Sequence, residues 1–339
     1  MGLKSVGLIT TWHVRCGLAS YSENLANALA NLGVDVYIVK IPRFGAKIPE
    51  IFQRIINDMP ANKVDILHCQ HEYGIWQGLE GGFYGALKAL GKPIVTTMHA
   101  VGIKSEIDRI ISQVSNKVIV HNQFMAQKYS FPSVIIPHGT LPTKCPPPEQ
   151  CKKALGFDPR MPIVGYLGFI SEYKGLEVLI EAMAKVPKTA LLIGGGWHTE
   201  IETTYINKLR QKSFDLLPNR VQWLGFVPDE KMSTAYGAMD MVVYPSRYST
   251  ESGALLTAIS HGKAVIASNL APFREKADIL WTFKDADDLT KKIRKLLRNA
   301  EVRKNLEENA KRYAQENSWA NVAKKHIELY ESILADKLN

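Results

Sequence analysis

No stretch of this sequence approaches the roughly 20 consecutive apolar residues that a membrane-spanning helix requires, so none of it reads as a span. The first residues lead straight into a strand-like run, Val6 to Ile9. They lack the apolar stretch and small-residue cleavage site of a secretion signal. Gly2 is not followed four residues later by the Ser or Thr of a myristoylation motif, because that position is Val6. A cytoplasmic location is the expectation. Cysteine is scarce (Cys16, Cys69, Cys145 and Cys151), and without a Cys-x-x-Cys no zinc site is expected. Cys145 and Cys151 flank a proline-rich stretch and are expected to be free thiols in a reducing compartment. Also missing are the Gly-x-Gly-x-x-Gly dinucleotide fingerprint and the classical P-loop spacing. No basic stripe with interleaved aromatics is present, which argues against nucleic acid as a partner.

What is present is an ordinary globular composition, 46% apolar and 22% charged over 339 residues, long enough for two domains with separate cores. The formal charge of +9 is spread along the chain, with 14 Lys/Arg against 10 Asp/Glu in the first 150 residues. That balance suits an anionic ligand, such as a nucleotide diphosphate, or an anionic membrane surface.

The pattern is strand then helix, repeated. Val6 to Ile9, Val34 to Val39, Val64 to His68, Ile94 to Thr97 and Val118 to Val120 read as strands. Helices are read over Leu18 to Leu32, Ile48 to Met59 and Gly82 to Leu90. Such alternation predicts a parallel sheet covered by helices on both faces. Leu141 to Gln150, rich in proline, reads as neither helix nor strand and marks a linker. Strands then resume at Ile163 to Leu167, Ala190 to Ile193, Val221 to Leu224, Met241 to Tyr244 and Ala264 to Ala267. The chain ends in a helix with an apolar stripe containing Trp319, His326 and Tyr330.

Four segments carry candidate chemistry. Thr11 to Ala19 joins the first strand to the first helix, and Gly17 lets backbone approach a ligand at the helix N-terminus; a purely structural turn is the alternative. Six of nine histidines precede residue 150, mostly after strands, yet no His-x-x-x-His pair supports a metal; His99 is the one best placed at a strand end. Gly165 to Gly175 ends in Lys174-Gly175 before a helix, an arrangement that sets a cation beside a phosphate or simply exposes a lysine to solvent. Tyr244 to Ile259 is the most informative, since Glu251 precedes Ser252-Gly253 at the start of an apolar helix, capped by Ser252.

Together with Leu192 to Gly196, Leu224 to Pro228, Ala258 to Ser268, Arg15 to Ala19, Gln70 to Gly74 and Ile136 to Gly139, these segments resemble the family 4 retaining glycosyltransferases. The resemblance implies an α/β GT-B fold: two doubly wound, Rossmann-like domains whose parallel sheets face across a cleft. The first covers residues 1–140 on the acceptor side. A linker at 141–152 leads to the nucleotide-sugar domain at 153–315, and a helix at 316–339 returns toward the first. It also implies a nucleoside-diphosphate sugar as donor, no metal and no other cofactor. The acceptor is a carbohydrate or a lipid-linked molecule, with peripheral contact at an anionic membrane.

Carried over residue by residue, Lys174 neutralises the donor diphosphate, the Ser252, Gly253, Ala254 and Leu255 amides hold its oxygens, and Gly17 and Gly168 lie in phosphate-facing loops. Backbone near Val227 meets the base, Glu251 bonds the sugar hydroxyls, and His99 sits near the reacting sugar. His13 and Glu72 lie toward the acceptor. Two positions depart from the family: Phe169 and Ser171 stand where an arginine is usual, and Thr257 where a second acid is usual. These departures keep open a second reading, a non-catalytic nucleotide- or sugar-binding protein on the same scaffold.

Overall fold

The computed structural model describes residues 2–42, 49–76, 78–196 and 200–336. The chain divides into two compact units, Met1–Gly139 with Asn317–Asn339, and Thr140–Glu316. In the first unit the elements run β1 Ser5–Thr10, α1 Gly17–Asn31, β2 Asp35–Lys40, α2 Pro49–Asn57, β3 Ile66–His71 and α3 Tyr73–Trp76. They continue through α4 Glu80–Ala89, β4 Ile94–Met98, α5 Ser105–Val114, β5 Lys117–Val120, α6 Gln123–Tyr129 and β6 Val134–Ile135. The second unit opens with α7 Pro148–Ala154, β7 Ile163–Leu167, α8 Leu176–Ala184, β8 Ala190–Gly194, α9 Glu200–Leu216 and β9 Val221–Gly225. There follow α10 Asp229–Ala238, β10 Met241–Tyr244, α11 Gly253–Ser260, β11 Val265–Ser268, α12 Ala271–Arg274, β12 Leu280–Phe283, α13 Ala286–Arg298 and α14 Ala300–Glu316. The last helix, α15 Trp319–Asp336, belongs to the first unit.

Among the described residues each unit has one six-stranded sheet, ordered β2-β1-β3-β4-β5-β6 and β12-β11-β10-β7-β8-β9, with every pairing parallel. Because helices cover both faces of such a sheet, its central strands are apolar throughout: all residues of β7, β8 and β10 are buried. The strand order reverses between β1 and β3 in one unit and between β7 and β10 in the other. Such reversals leave a crevice beyond the carboxyl ends of the strands, where doubly wound folds bind ligands.

One face of the first sheet is completed by α15. Its Trp319, Val322, Ala323, Tyr330 and Ile333 share a core with Val6, Tyr21, Leu25, Ile66, Val95 and Ile136.

The proline-rich stretch corrects the sequence reading. Leu141 to Gln150 is not free of helix, because α7 begins at Pro148. A proline in the first turn loses only an N–H that has no intrahelical partner there, so it starts a helix as readily as it interrupts one. Cys145 and Cys151 are free thiols in this unit. The Cys145 thiol faces the His261 carbonyl at 3.8 Å and the Cys151 thiol the Pro146 carbonyl at 3.5 Å. Burial raises the pKa of both. No described helix is long and apolar enough to cross a membrane.

Candidate functional site

In the second unit, the loops at the β7/β10 reversal converge on the first turn of α11. Gly168 follows β7 at φ 156°, and a Cβ there would stand 3.1 Å from the Ala254 Cβ. Gly195 follows β8 at φ 153°, and a Cβ there would fall 1.8 Å from the Gly168 carbonyl oxygen, closer than atoms can pack. Glycine at both positions therefore lets two loops and a helix end meet backbone to backbone. Tyr244 at the end of β10 fixes the helix, its hydroxyl donating to the Ala254 carbonyl at 2.6 Å. Val227, in the loop after β9, lies over the end of β8, where a Cβ on Gly194 would meet its Cγ2 at 2.8 Å.

The amides of α11 divide into two groups. Ser252 caps the helix, its Oγ accepting the Leu255 amide at 3.3 Å, while the Ser252 amide donates to Glu251 Oε1 at 3.0 Å. The first two helical amides, those of Gly253 and Ala254, have no partner among the described residues, and Gly253 is exposed. A set of four amides from Ser252 to Leu255 was expected to face a ligand; two are engaged within the protein, which leaves two. Free N–H groups and the positive end of the helix dipole make this end receptive to an anion.

Glu251 also departs from expectation. Its carboxylate is not open to a sugar: Oε2 pairs with Lys276 Nζ at 2.9 Å and both side chains are buried. Burying a carboxylate demands such a partner, because an isolated charge inside a protein is too poorly solvated to persist. Lys276 had no signal in the sequence, being 25 residues away in the turn between α12 and β12.

Lys174 lies in the single 3-10 turn Glu172–Lys174, just before α8, with Nζ 4.6 Å from the centre of the Tyr173 ring. Gly175 adopts φ 63°, and a Cβ there would lie 2.4 Å from the Pro245 carbonyl oxygen, so this turn is pressed against the end of β10. Arg247 adjoins it, its amide donating to the Tyr173 carbonyl at 2.8 Å. The Arg247 guanidinium pairs with Glu177 and lies 3.9 Å from Glu172.

In the first unit, His99 follows β4 and its amide donates to the His71 carbonyl at 2.9 Å. The ring Nε2 of His99 donates to Gln70 Oε1 at 2.9 Å, and Gln70 Nε2 donates to His68 Nε2 at 3.1 Å. The remaining His68 nitrogen, Nδ1, lies 2.6 Å from the Tyr330 hydroxyl on α15. This chain sets the tautomers: His68 Nε2 accepts, so Nδ1 carries its proton, while His99 carries its proton on Nε2. Burial, aided by the neighbouring His121 and His138, holds His99 well below the ordinary histidine pKa. It is therefore a neutral ring at physiological pH. Tyr21 stands edge-on to it at 4.6 Å between centroids.

His13 lies on the exposed loop between β1 and α1, and Gly17, also exposed, is the first residue of α1. His13 is at φ 53° and its amide donates to Glu23 Oε1 at 3.1 Å. Nothing lies within 4 Å of where a Gly17 Cβ would sit, so that approach is open. Glu72, directly after β3, accepts the Gly74 amide at 3.0 Å. Burial raises its pKa, against the opposing influence of that amide and of Lys104. Among the described residues no three His, Cys, Asp or Glu side chains assemble as metal ligands.

Residues 149–313, all inside the second unit, match the family model described as glycosyl transferases group 1. The D-inositol 3-phosphate glycosyltransferase of Corynebacterium urealyticum is 26% identical over 198 residues, covering 55% of this chain and 46% of that protein. The chain spans about half the length of the curated relatives it matches first, with 46%, 47% and 45% of each covered. Among solved structures, a glycosyltransferase of Rickettsia africae aligns over 98% of this chain and 99% of its own, with TM-score 0.82 and 19% identity. HepE of Anabaena, solved in complex with UDP and glucose, aligns over 97% of this chain and 100% of its own, with TM-score 0.79 and 18% identity. At such identities the likeness establishes the two-unit α/β fold of GT-B glycosyltransferases.

Proposed function

We propose, from the premise that residues 149–313 match the glycosyl transferases group 1, that this chain transfers a sugar from a nucleoside-diphosphate sugar to an acceptor. The observation that carries the reading is the meeting of the Gly168 and Gly195 loops with the open first turn of α11 at the β7/β10 reversal. That arrangement offers backbone amides to a diphosphate without a metal ion. In transfer, a bond forms between an acceptor oxygen and the anomeric carbon as the bond to the diphosphate oxygen breaks. Negative charge then grows on the leaving oxygen, and donors already fixed in place stabilise it most. The Gly253 and Ala254 amides and the Lys174 ammonium supply that stabilisation, and backbone near Val227 meets the base.

We further propose that configuration is retained by front-face displacement. The acceptor proton passes to the departing diphosphate, so that no carboxylate nucleophile is needed; Glu251, held by Lys276, is not placed to serve as one. The first unit takes the acceptor, a carbohydrate or a lipid-linked molecule. Its neutral His99, with the Nε2 proton already given to Gln70, can serve there only as a hydrogen-bond acceptor. Contact with anionic lipid is part of this proposal, supported by the net charge of +9.

Incubation with labelled UDP-, GDP- and ADP-sugars tests the reading. Release of nucleotide or transfer of label is expected with at least one donor. Binding of a diphosphate with no turnover on any donor, in the presence of simple and lipid acceptors, would favour a binding protein instead. That second reading draws on Glu251, since the expected sugar contact is tied up in the protein.

A further inference from the structure

Glu251 and Lys276 form an ion pair of 2.9 Å with only 5% and 6% of their side chains exposed. The other carboxylate oxygen accepts the Ser252 amide at 3.0 Å. The acid thus stands two residues before the first helical amide of α11 at its sequence position, at the end of a helix that favours an anion. Left unneutralised, a carboxylate there competes with an anionic ligand for the same dipole and repels it. Stability alone gives little reason for the pair, because desolvating two charges offsets most of their attraction.

We propose that Lys276 is a charge-compensating positioning residue for the diphosphate site. It neutralises Glu251 and holds one carboxylate oxygen away, so that the Gly253 and Ala254 amides remain open to the diphosphate of a bound nucleotide. The proposal rests on the donor reading above. Lys276 is too deeply buried to be the cation that touches the ligand, which leaves that part to Lys174. Compensation matters in this chain because the loop after β7, Gly168 to Ser171, carries no cationic side chain of its own. With Arg247 already committed to Glu177, an unbalanced Glu251 would leave the loop with little net positive charge.

Calorimetric titration with UDP, GDP and ADP, on wild type and three variants, tests this. Lys276→Met is expected to weaken diphosphate binding tenfold or more. Adding Glu251→Gln to it should restore affinity to within about threefold, because the neutral pair no longer repels the phosphates. Glu251→Gln alone should bind the diphosphate at least as tightly as wild type, whereas a purely structural carboxylate would weaken binding on its removal. Should Lys276→Met fail to fold, Glu251→Gln decides the matter: unchanged or tighter binding upholds the proposal, and weaker binding overturns it. Unaltered binding by a folded Lys276→Met, or no recovery in a folded double variant, would also overturn it. If wild type binds none of the three diphosphates, the donor reading fails and this inference falls with it.

Discussion

Lys174 and His99 are the side chains whose roles are most directly testable. Lys174 lies in the turn before α8, against the end of β10, and on the proposed reading its charge counts most when the glycosidic bond breaks. Lys174→Ala should lower turnover by about two orders of magnitude, or about 2.7 kcal/mol of barrier, with a smaller change in donor affinity. Near-normal turnover would mean that the charge comes from elsewhere, with Arg15 and Arg247 as the candidates. His99 differs, because its ring is bound into a network whose other members lie in the protein interior. His99→Ala should cut turnover at least tenfold while shifting stability by about 1 kcal/mol, an ordinary mutational effect. A larger loss of stability with a matching loss of activity would make the ring structural. The sequence singled out His99 and Lys174 because both end a strand or open a helix. It gave no sign of Lys276, nor of the bond between His68 and Tyr330, 262 residues apart. Partners fixed by tertiary contact leave no periodic trace.

At the scale of elements, the strands were the most legible part. β7 and β10 begin and end at Ile163–Leu167 and Met241–Tyr244, as the apolar runs indicate, because strands buried on both faces carry few polar residues. Short or strongly polar elements were not read: β6 has two residues, and α5 carries Glu106, Asp108 and Arg109 among its apolar positions. The start of α11 was legible for a chemical reason, since serine before glycine and an apolar run is a capping pattern. Ser252→Ala removes the bond to the Leu255 amide and should cost about 1 kcal/mol, read as a lowered thermal midpoint. Gly195→Ala acts on the neighbouring loop. Its Cβ would collide with the Gly168 carbonyl, so the β7 loop must retreat from α11. Nucleotide affinity should fall at least tenfold; equal affinity in titration would show that the two loops need not meet.

For the whole molecule, the histidines that face the first unit's core make stability depend on pH. Burial holds His71 down to about 3, with Lys104 adding to the shift. It holds His326 down to about 4, against a bond to the Val322 carbonyl that works the other way. In the unfolded chain these rings titrate near 6.5, so between that pH and 4 the unfolded state binds protons that the folded state refuses. Stability is therefore level above pH 6.5 and declines as the pH falls below it, by about 3 kcal/mol for a ring held near 4. Thermal midpoints measured from pH 7.5 to 4 should show this slope, and His326→Leu should flatten it. A slope unchanged in that variant would assign the effect to other groups.

The placement of α15 has a consequence for how the protein is made. Synthesis runs from the first residue onward, and domains ordinarily fold as they leave the ribosome. Here residues 2–139 emerge long before the helix that supplies Trp319, Tyr330 and Ile333 to their core, because the entire second unit is translated in between. Until then Tyr21, Leu25 and Ile136 lack their cover, and His68 lacks the Tyr330 hydroxyl. Released chains truncated after Glu316 should be cut by protease in the first unit but not in the second. Full-length chains should resist in both.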